Sequence, residues 1–175
     1  MNGESAMVNG DTYRGRTVEL WIGGRERTNQ SAWRAGSGYD SKKFILDNDE
    51  ATSRGSVIQF PYIRLAEVYL TYAEALNEFS NGPDAEAYKY VNLVRNRVGL
   101  GNLQAGLSQF QLREAVLNGR ACEFVLEDVR WFDMARWKRA DDFTKKLHGM
   151  NIFKDPVTGA LTYVPFQLVT RAWQL

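Results

Sequence analysis

A row of charged residues at helical spacing is the first candidate for chemistry in this chain. Two of its members, Glu123 and Glu127, stand one helical turn apart, as paired carboxylates that act as general acid and general base could. Such a pair would suit the hydrolysis of a glycosidic bond. The whole row, with steps of three or four residues, consists of Arg120, Glu123, Glu127, Arg130, Asp133 and Arg136.

The arginines in this row argue against catalysis. Each carboxylate has a guanidinium about one turn away, which keeps it ionised, whereas a general acid needs a raised pKa. Large apolar neighbours indicate that the row is partly buried, and we expect two of the tryptophans in this region to lie in the core. The sequence therefore predicts a structural ion-pair row. The neighbours are Phe124, Leu126, Trp131 and Phe132, and the tryptophans expected in the core are Trp131 and Trp137.

The other reactive side chains indicate neither a metal site nor a nucleophile. His148, the single histidine, has no cysteine nearby and no acidic residue at metal-ligand spacing. Cys122, the single cysteine, has only Arg120 as a positive neighbour and is expected to be a buried, inert thiol. Neither of the glycine-rich patterns that cradle phosphates occurs. We expect no metal, no cofactor and no enzymatic activity.

Aromatic residues in polar loops are the stronger functional signal. Tyr13, Trp21, Trp33 and Tyr39 lie in a segment where no core period explains them. Flat aromatic faces can stack on the weakly apolar face of a sugar ring, so these four are candidate ligand-binding residues. The alternative is that the rings anchor the loops to a helical core.

Composition excludes two other classes of function. The chain has 175 residues, of which 44% are hydrophobic, and its 22 basic and 21 acidic residues leave a net charge of +1. A nucleic-acid-binding protein usually carries a basic surplus, so nucleic acid is not an expected partner. Residues 1–5 lack the basic and apolar regions of a signal peptide, and no apolar run reaches the ~18 residues of a membrane span.

The pattern along the chain predicts a mainly α fold. Residues 1–60 are rich in glycine and loop-like, with one short strand over Thr17–Ile22. A helix over Tyr62–Phe79 carries two apolar stripes and should contact neighbours on both sides. A second helix is predicted over Asp84–Val98, directly after Pro83. So few residues join the two helices that they must lie antiparallel, as an αα-hairpin.

The C-terminal part of the chain continues the helical pattern and ends in a hairpin. Ser108 and Gln111 form a capping box that begins a third helix, extending to about Leu126. A further helical stretch covers residues 128–140. The turn residues Asp155-Pro156-Val157-Thr158-Gly159 separate two short strands and predict a β-hairpin, with strands over 151–154 and 160–164.

Four blocks of sequence, in order, resemble the SusD/RagB family. Pro61 to Glu78 resembles its R-L-A-E-x-Y-L-x-Y-A-E-A-x-N-E signature, and residues 90–100 resemble its N-x-V-R-x-R-A-G-L block. Residues 120–137 resemble its E-R-x-x-E-L-x-F-E-G-x-R-W-F-D-L-x-R-W block, and residues 37–44 resemble its T-G-Y-x-x-x-K-F segment. Two departures stand out: Gly119 replaces the usual glutamate, and Asp128 replaces the usual glycine.

The resemblance implies fold, function and partners. Members are non-catalytic lipoproteins on the outer membrane, with tetratricopeptide-like helical hairpins, that bind oligosaccharide or other nutrients and serve a SusC-like TonB-dependent transporter. It implies that this chain is the C-terminal portion of a longer protein, without the signal peptide and lipid anchor. We expect a loop-rich segment with short strands over residues 1–60 and a helical region over 61–175, with a small β-hairpin near the C-terminus.

Two other functions remain open from the residues alone. The helical hairpin could be an interaction module that binds a peptide or protein partner in a groove. Glu123 and Glu127 could serve a glycoside hydrolase, although the flanking arginines argue against it. Within the leading hypothesis, the sequence does not identify which glycan or nutrient is bound.

Overall fold

The computed structural model describes residues 6–13, 15–27, 37–44, 60–145 and 147–167, without the side chains of residues 143 and 144. Trp33 therefore lies outside the described residues. Within them, helices dominate the middle of the chain and short strands dominate its two ends. The predicted mainly α fold, with its loop-rich N-terminal segment and C-terminal β-hairpin, is confirmed.

The chain forms two compact units. The helical unit comprises Met1–Asn2 and Phe60–Lys138, and the strand unit comprises Gly3–Gln59 and Arg139–Leu175. The C-terminal hairpin thus belongs with the N-terminal strands. The boundary that the sequence predicts at residue 60 stays a prediction.

Four helices form the helical unit: α1 (Leu65–Phe79), α2 (Ala85–Arg97), α3 (Gln109–Glu123) and α4 (Val129–Arg136). Helix α1 begins three residues later than predicted, because the backbone at Arg64 is extended.

Side chains cap α2 and α3 at their N-termini. The Asp84 carboxylate accepts a hydrogen bond from the backbone N–H of Ala87 at 2.7 Å, which begins α2. The capping box of Ser108 and Gln111 is present with both of its hydrogen bonds. The prediction of this cap is confirmed, and it satisfies backbone donors that would otherwise lack partners at the start of α3.

The core of the helical unit lies between α1 and its neighbours α2 and α3. Ala66 and Ala73 on α1 and Ala87 on α2 have small side chains that allow the helix axes to come close. Removing such a set of apolar side chains from water is the main favourable term in folding. Its buried members are Ala66, Leu70, Ala73, Ala87, Val91, Val94, Leu112, Val116 and Phe124.

One of the two predicted apolar stripes of α1, which contains Leu65, Tyr69, Tyr72, Leu76 and Phe79, is only partly covered, so the prediction that both stripes are packed is wrong in part. Tyr69 and Leu76 pack against the core, whereas Leu65, Tyr72 and Phe79 are 62%, 42% and 88% exposed. The side of α1 that carries Leu70 already contacts α2 and α3. The sequence pattern correctly marks the stripe as apolar, but apolar character does not ensure that a described neighbour covers it.

The third helix ends earlier than predicted, and the helical row of charges is interrupted. Helix α3 stops at Glu123, and a turn precedes α4 in which Leu126 and Asp128 have φ angles of 63° and 60°. L-residues rarely adopt this left-handed conformation, so two such residues break a continuous helix. The predicted stretch over 128–140 also ends early, at Arg136, before a short helix α5 (Ala140–Thr144).

The tryptophans near this turn are less buried than predicted. Trp131 is 41% exposed, so its expected place in the core is wrong, and its neighbour Phe132 is 66% exposed. Trp137 is half-buried, and the guanidinium carbon of Arg113 lies 4.7 Å from the centre of its ring. Phe124, in contrast, is almost fully buried. The interruption after α3 rotates the following residues away from the face that a continuous helix would present to the core.

Replacing Gly119 by alanine should stabilise the helical unit. Gly119 lies inside α3 with a normal helical φ, and a Cβ added there would have no atom within 4 Å. Glycine inside a helix costs roughly 1 kcal/mol relative to alanine, so we expect a thermal midpoint about 2–4 °C higher, measured by circular dichroism at 222 nm. Gly38→Ala should have the opposite effect and destabilise the protein. Gly38 has a φ of +82°, and a Cβ added there would lie 2.0 Å from the carbonyl oxygen of Met150. A lower midpoint for Gly119→Ala would contradict the first expectation.

Among the described residues, the strand unit contains three two-stranded antiparallel sheets. β1 (Ala6–Met7) pairs with β4 (Asp40–Ser41), and β2 (Thr12–Tyr13) pairs with β3 (Arg16–Thr17). β5 (His148–Lys154) pairs with β6 (Leu161–Gln167), extending the predicted hairpin on both sides of its turn. A single 3₁₀ turn covers Arg25–Arg27 among the described residues. The core of this unit consists of Met7, Val18, Leu20 and Ile152.

The strand predicted over Thr17–Ile22 is wrong except at Thr17. Its alternating residues Val18 and Leu20 are buried, as the pattern requires, but the backbone finds partners outside a ladder. The Leu20 N–H donates to Oδ1 of Asn9 at 2.9 Å, and the Ile22 N–H donates to the carbonyl of Ile152 at 2.8 Å. Alternation therefore reports burial of every second side chain and not the bonding of the backbone.

Candidate functional site

Two strand pairs of the strand unit place polar and aromatic side chains beside its apolar core. In the β2–β3 pair, Tyr13 lies directly opposite Arg16, and in the β1–β4 pair, Met7 lies directly opposite Asp40. Directly opposed residues of an antiparallel pair project their side chains to the same face. Each pair therefore combines an apolar or aromatic group with a charged one.

These side chains line a shallow pocket of about 240 Å³. Met7 and Val18 supply apolar surface, and each is less than 5% exposed. Tyr13 is half-buried and packs against the same core. The pocket thus combines an aromatic ring, an apolar floor and charged groups, a combination typical of small-ligand sites. Its lining residues are Met7, Tyr13, Arg16, Val18, Glu26 and Asp40.

Glu26 is fixed in place at the pocket by hydrogen bonds. Its Oε2 accepts from the backbone N–H of Glu19 at 2.8 Å, and its Oε1 accepts from Nε of Arg25 at 2.8 Å. Burial raises the pKa of Glu26, but these hydrogen bonds outweigh burial and hold the pKa below its usual value. Glu26 is therefore an ionised acceptor at neutral pH.

Asp40 is the second carboxylate of the pocket. Its Oδ1 accepts a hydrogen bond from the backbone N–H of Ser41 at 2.8 Å, which limits rotation of the side chain. Pairing of β1 and β4 fixes the backbone on either side. Each carboxylate oxygen has more than one lone-pair direction, so Asp40 can still accept hydrogen bonds from a ligand.

The predicted aromatic residues are not gathered in one place. Tyr13 lines the pocket, whereas Trp21 and Tyr39 are not among its lining residues, and Trp33 lies outside the described residues. Trp21 is half-buried, packs on the core of the strand unit and has Nζ of Lys154 4.8 Å from its ring centre. Tyr39 is 43% exposed. Ligand binding by these four rings stays a prediction.

Sequence reasoning missed Arg16, Glu26 and Asp40. Their positions depend on pairing between strands of two residues, which are too short to leave a period in the sequence. One signal was available for Glu26, because it interrupts the small basic patch between Gly23 and Arg27. The candidate pocket therefore becomes visible only once the fold is known.

In the helical unit, part of the charged row forms a buried network. Asp133, 1% exposed, accepts hydrogen bonds from Nε of Arg120 at 2.8 Å and from Nη2 of Arg136 at 2.8 Å. Arg120 also donates to Oγ1 of Thr71 at 3.0 Å. Arg136 reaches Glu74 of α1 through Nη2 at 2.7 Å, and this hydrogen bonding raises the pKa of Arg136. The network joins α3 and α4 to the polar side of α1.

Glu123 and Glu127 share a guanidinium that the sequence did not assign to them. Arg64, just before α1, donates to Oε1 of Glu123 at 2.7 Å and to both oxygens of Glu127 at 2.8 and 2.9 Å. Burial lowers the pKa of Arg64, but its hydrogen bonds to Glu127 and Glu123 outweigh burial and raise it. Arg97 of α2 also donates to Glu123. The neighbouring Arg120 and Arg130, which the sequence suggested as partners, bond elsewhere.

This arrangement does not resemble a pair of catalytic carboxylates. Both carboxylates bind guanidinium groups, and Glu127 is only 8% exposed. Arg130 contacts the carbonyl of Leu117 at 3.3 Å. Burial raises the pKa of the Cys122 thiol, although Arg130 opposes the effect. Within the described ranges, no three His, Cys, Asp or Glu residues are grouped so as to hold a metal ion.

The chain belongs to the SusD family, because residues 4–159 match the family and this is most of its length. Among related proteins, SusD-like protein P2 of Formosa agariphila is 40% identical over 96 residues, which make up 51% of this chain and 19% of that protein. SusD-like protein P25 of the same organism is 37% identical over 102 residues, covering 57% and 19% of the two chains. A SusD-like protein of Bacteroides ovatus is 34% identical over 95 residues, covering 53% and 16%.

Solved structures show the same fold. A SusD-like protein of Bacteroides fragilis superposes with a TM-score of 0.79 and 25% identity, over 97% of this chain and 32% of that protein. A SusD homologue of Bacteroides thetaiotaomicron gives a TM-score of 0.56 with 29% identity, over 81% and 32%. The chain therefore spans about a fifth of the length of its curated relatives and a third of these solved proteins. In the described part of the chain, no helix has the length and apolar character needed to cross a membrane.

Proposed function

We propose that this chain is part of a non-catalytic nutrient-binding protein of the outer membrane surface. It captures a glycan or a similar nutrient, and the captured ligand passes to a SusC-like TonB-dependent transporter. The observation that carries the proposal is membership of the SusD family over residues 4–159. The full-length protein is a surface-exposed lipoprotein in this proposal.

Two features of the structure support binding without catalysis. The pocket around Tyr13 offers an aromatic ring beside fixed hydrogen-bonding groups, which suits a sugar. The paired carboxylates Glu123 and Glu127, the main hydrolase candidates, are bound to Arg64. A carboxylate paired with a guanidinium is held in its ionised form, so it is poorly suited to donate a proton to a leaving group.

Affinity electrophoresis tests the proposal. The chain should migrate more slowly in native gels that contain starch, xylan, galactomannan or alginate than in gels without polysaccharide, for at least one of these four. Bovine serum albumin serves as the control that should not be retarded. Equal migration in all gels would overturn glycan binding, and release of reducing sugar from a retarding polysaccharide would overturn the non-catalytic assignment.

The predicted tryptophans can be tested in the same gels. Trp21→Ala and Trp33→Ala should each weaken retention if these rings stack on the ligand. Because Trp21 packs on the core of the strand unit, circular dichroism must first show that its variant is folded. Unchanged retention of both folded variants would remove these two rings from the site while leaving glycan binding in place.

A helical protein-interaction module is the second candidate function, and one observation favours it. Leu65, Val68, Tyr72 and Phe79 form an exposed apolar stripe at helical spacing along α1. An amphipathic helix of a partner could bury such a stripe. If the two functions are separate, replacement of Val68 and Tyr72 by serine should leave retention by polysaccharide unchanged. If no polysaccharide retards the parent chain, the interaction module is the favoured function.

A further inference from the structure

The pocket beside Tyr13 has the size of a subsite for a single sugar residue. Its volume is about 240 Å³, whereas pockets for drug-sized ligands begin at roughly 300 Å³. Met7 and Val18, both almost fully shielded from water, and the half-buried Tyr13 are among the residues that line it. A pyranose ring, with one weakly apolar face and hydroxyl groups at its edge, matches such a mixture of surfaces.

The charged groups of the pocket define which sugars fit. Glu26 and Asp40 carry carboxylates, which only accept hydrogen bonds when ionised, and Arg16 carries a guanidinium, which only donates. Sugar hydroxyls can donate to the carboxylates and accept from the arginine. Arg25 is bound to Glu26 and to the carbonyl of Thr17 and does not line the pocket. Among the residues that the structure describes, the lining therefore carries two carboxylates and one guanidinium.

A negatively charged sugar meets an unfavourable environment in this pocket. A uronate or sulfate group brings further acceptors and no donors to the two carboxylates, and like charges repel each other at short range. Glu26 cannot easily relieve this repulsion by taking up a proton, because its hydrogen bonds from Arg25 and from the Glu19 N–H hold it ionised. An uncharged sugar avoids both costs.

We infer that the pocket lined by Tyr13, Arg16, Glu26 and Asp40 is a subsite for one uncharged pyranosyl residue and discriminates against uronic and sulfated sugars. This inference rests on the proposed glycan-binding function and names the ligand class for that function. Tyr13 stacks on the sugar ring, Asp40 and Glu26 accept hydrogen bonds from its hydroxyls, and Arg16 donates to its oxygens.

Calorimetric titration with defined oligosaccharides tests the inference. The neutral probes are maltoheptaose, xylohexaose and mannohexaose, and the anionic probes are trigalacturonic acid and an alginate trimer. We expect binding of at least one neutral probe and at least tenfold weaker binding of both anionic probes. Tyr13→Ala and Asp40→Asn should each weaken binding of that neutral probe by about tenfold, which corresponds to the loss of one stacking or charged hydrogen-bonding contact.

Matched variants distinguish the subsite from general effects. Tyr163→Ala removes a half-exposed tyrosine of β6, and Asp128→Asn neutralises an exposed aspartate before α4. Both should bind like the parent chain, and circular dichroism should show that all four variants are folded. Asn can keep the Oδ1 contact of Asp40 to Ser41, so Asp40→Asn changes charge with little loss of local structure.

The outcomes separate failure of this inference from failure of the proposed function. Binding of a neutral probe that neither Tyr13→Ala nor Asp40→Asn weakens would overturn the subsite while leaving glycan binding intact. Tighter binding of an anionic probe than of every neutral probe would overturn the charge selectivity. Absence of binding to all five probes, together with unretarded migration in all polysaccharide gels, would overturn both.

Discussion

Replacing Asp133 by alanine is expected to lower the free energy of unfolding of the helical unit by about 3–5 kcal/mol. Asp133 is 1% exposed and accepts hydrogen bonds from Arg120 and Arg136. Arg120 is itself only 5% exposed. Without the carboxylate, the buried guanidinium keeps its hydrogen bond to Thr71, a more distant contact with Glu67 at 4.0 Å and the ring of Phe124, whose centre lies 5.3 Å away. An uncompensated buried charge is costly, because water cannot replace the lost partner.

Chemical denaturation followed by circular dichroism at 222 nm measures this loss, since most of the described helix lies in the helical unit. Glu86→Ala is the matched control, because it removes an exposed carboxylate in the first turn of α2 and should cost less than about 1 kcal/mol. The loss of stability in Asp133→Asn should lie between the losses in Asp133→Ala and Glu86→Ala, because an amide can still accept one hydrogen bond but carries no charge. Similar stability of Asp133→Ala and Glu86→Ala would show that the buried network contributes little.

The sequence predicted the residue types of this network better than their partners. Spacing along one helix correctly pairs Asp133 with Arg136, three residues away. It assigned Glu123 and Glu127 to arginines of the same row, whereas both bind Arg64, 59 and 63 residues earlier in the chain. Spacing in the sequence places the charged row on one helical face, but Leu126 and Asp128, which follow α3, have left-handed backbone conformations that change the direction of the chain. Contacts between residues distant in sequence then decide the pairing.

The same limit explains the outcome for α1. Its period correctly predicted a helix and an apolar surface wider than one stripe, and Leu70 and Ala73 are buried as expected. Periodicity cannot say which element covers each side, because that depends on the packing of other helices. Leu65 and Phe79 carry the right residue types for a buried stripe and are nevertheless mostly exposed.

For the candidate pocket, the sequence supplied one residue of the lining. Tyr13 was identified because an aromatic residue in a polar loop lacks a core explanation. Arg16 and Asp40 reach the pocket through strands that are each two residues long. Hydrophobic periodicity needs several residues to be recognised, so such strands leave no detectable pattern. The chemistry of a loop-built site is therefore readable only in part before the fold is known.

Ion pairs define how α1 fits against α3 and α4. Its polar side carries Glu74 and Glu78, which bind Arg136 of α4 and Arg113 of α3. The hydrogen bond from Arg113 lowers the pKa of Glu78 despite partial burial of the carboxylate. Apolar packing alone tolerates small shifts of one helix along another, whereas a paired guanidinium fixes one relative position. The charged residues of these helices therefore act in assembly of the helical unit.

Replacing Arg64 by alanine should destabilise the helical unit by about 3–5 kcal/mol, because two carboxylates lose their shared partner. Glu127 has a side chain only 4% exposed and depends on Arg64 for two of its hydrogen bonds. Arg64 also donates to the carbonyl of Glu123 near the end of α3 and lies 4.8 Å from the ring centre of Phe124. Its removal therefore costs a bidentate ion pair, a backbone contact and a cation–π contact.

Arg97→Ala is the matched control for Arg64, because Arg97 binds the same Glu123 from a side chain that is 53% exposed. An exposed ion pair contributes little, so this variant should lose less than about 1 kcal/mol. Both variants are compared by chemical denaturation at 222 nm. Adding Glu127→Gln to Arg64→Ala should recover part of the stability, since it removes a buried charge that has lost its ion pair with Arg64. Equal losses for Arg64→Ala and Arg97→Ala, or no recovery in the double variant, would contradict the role assigned to the buried charge of Glu127.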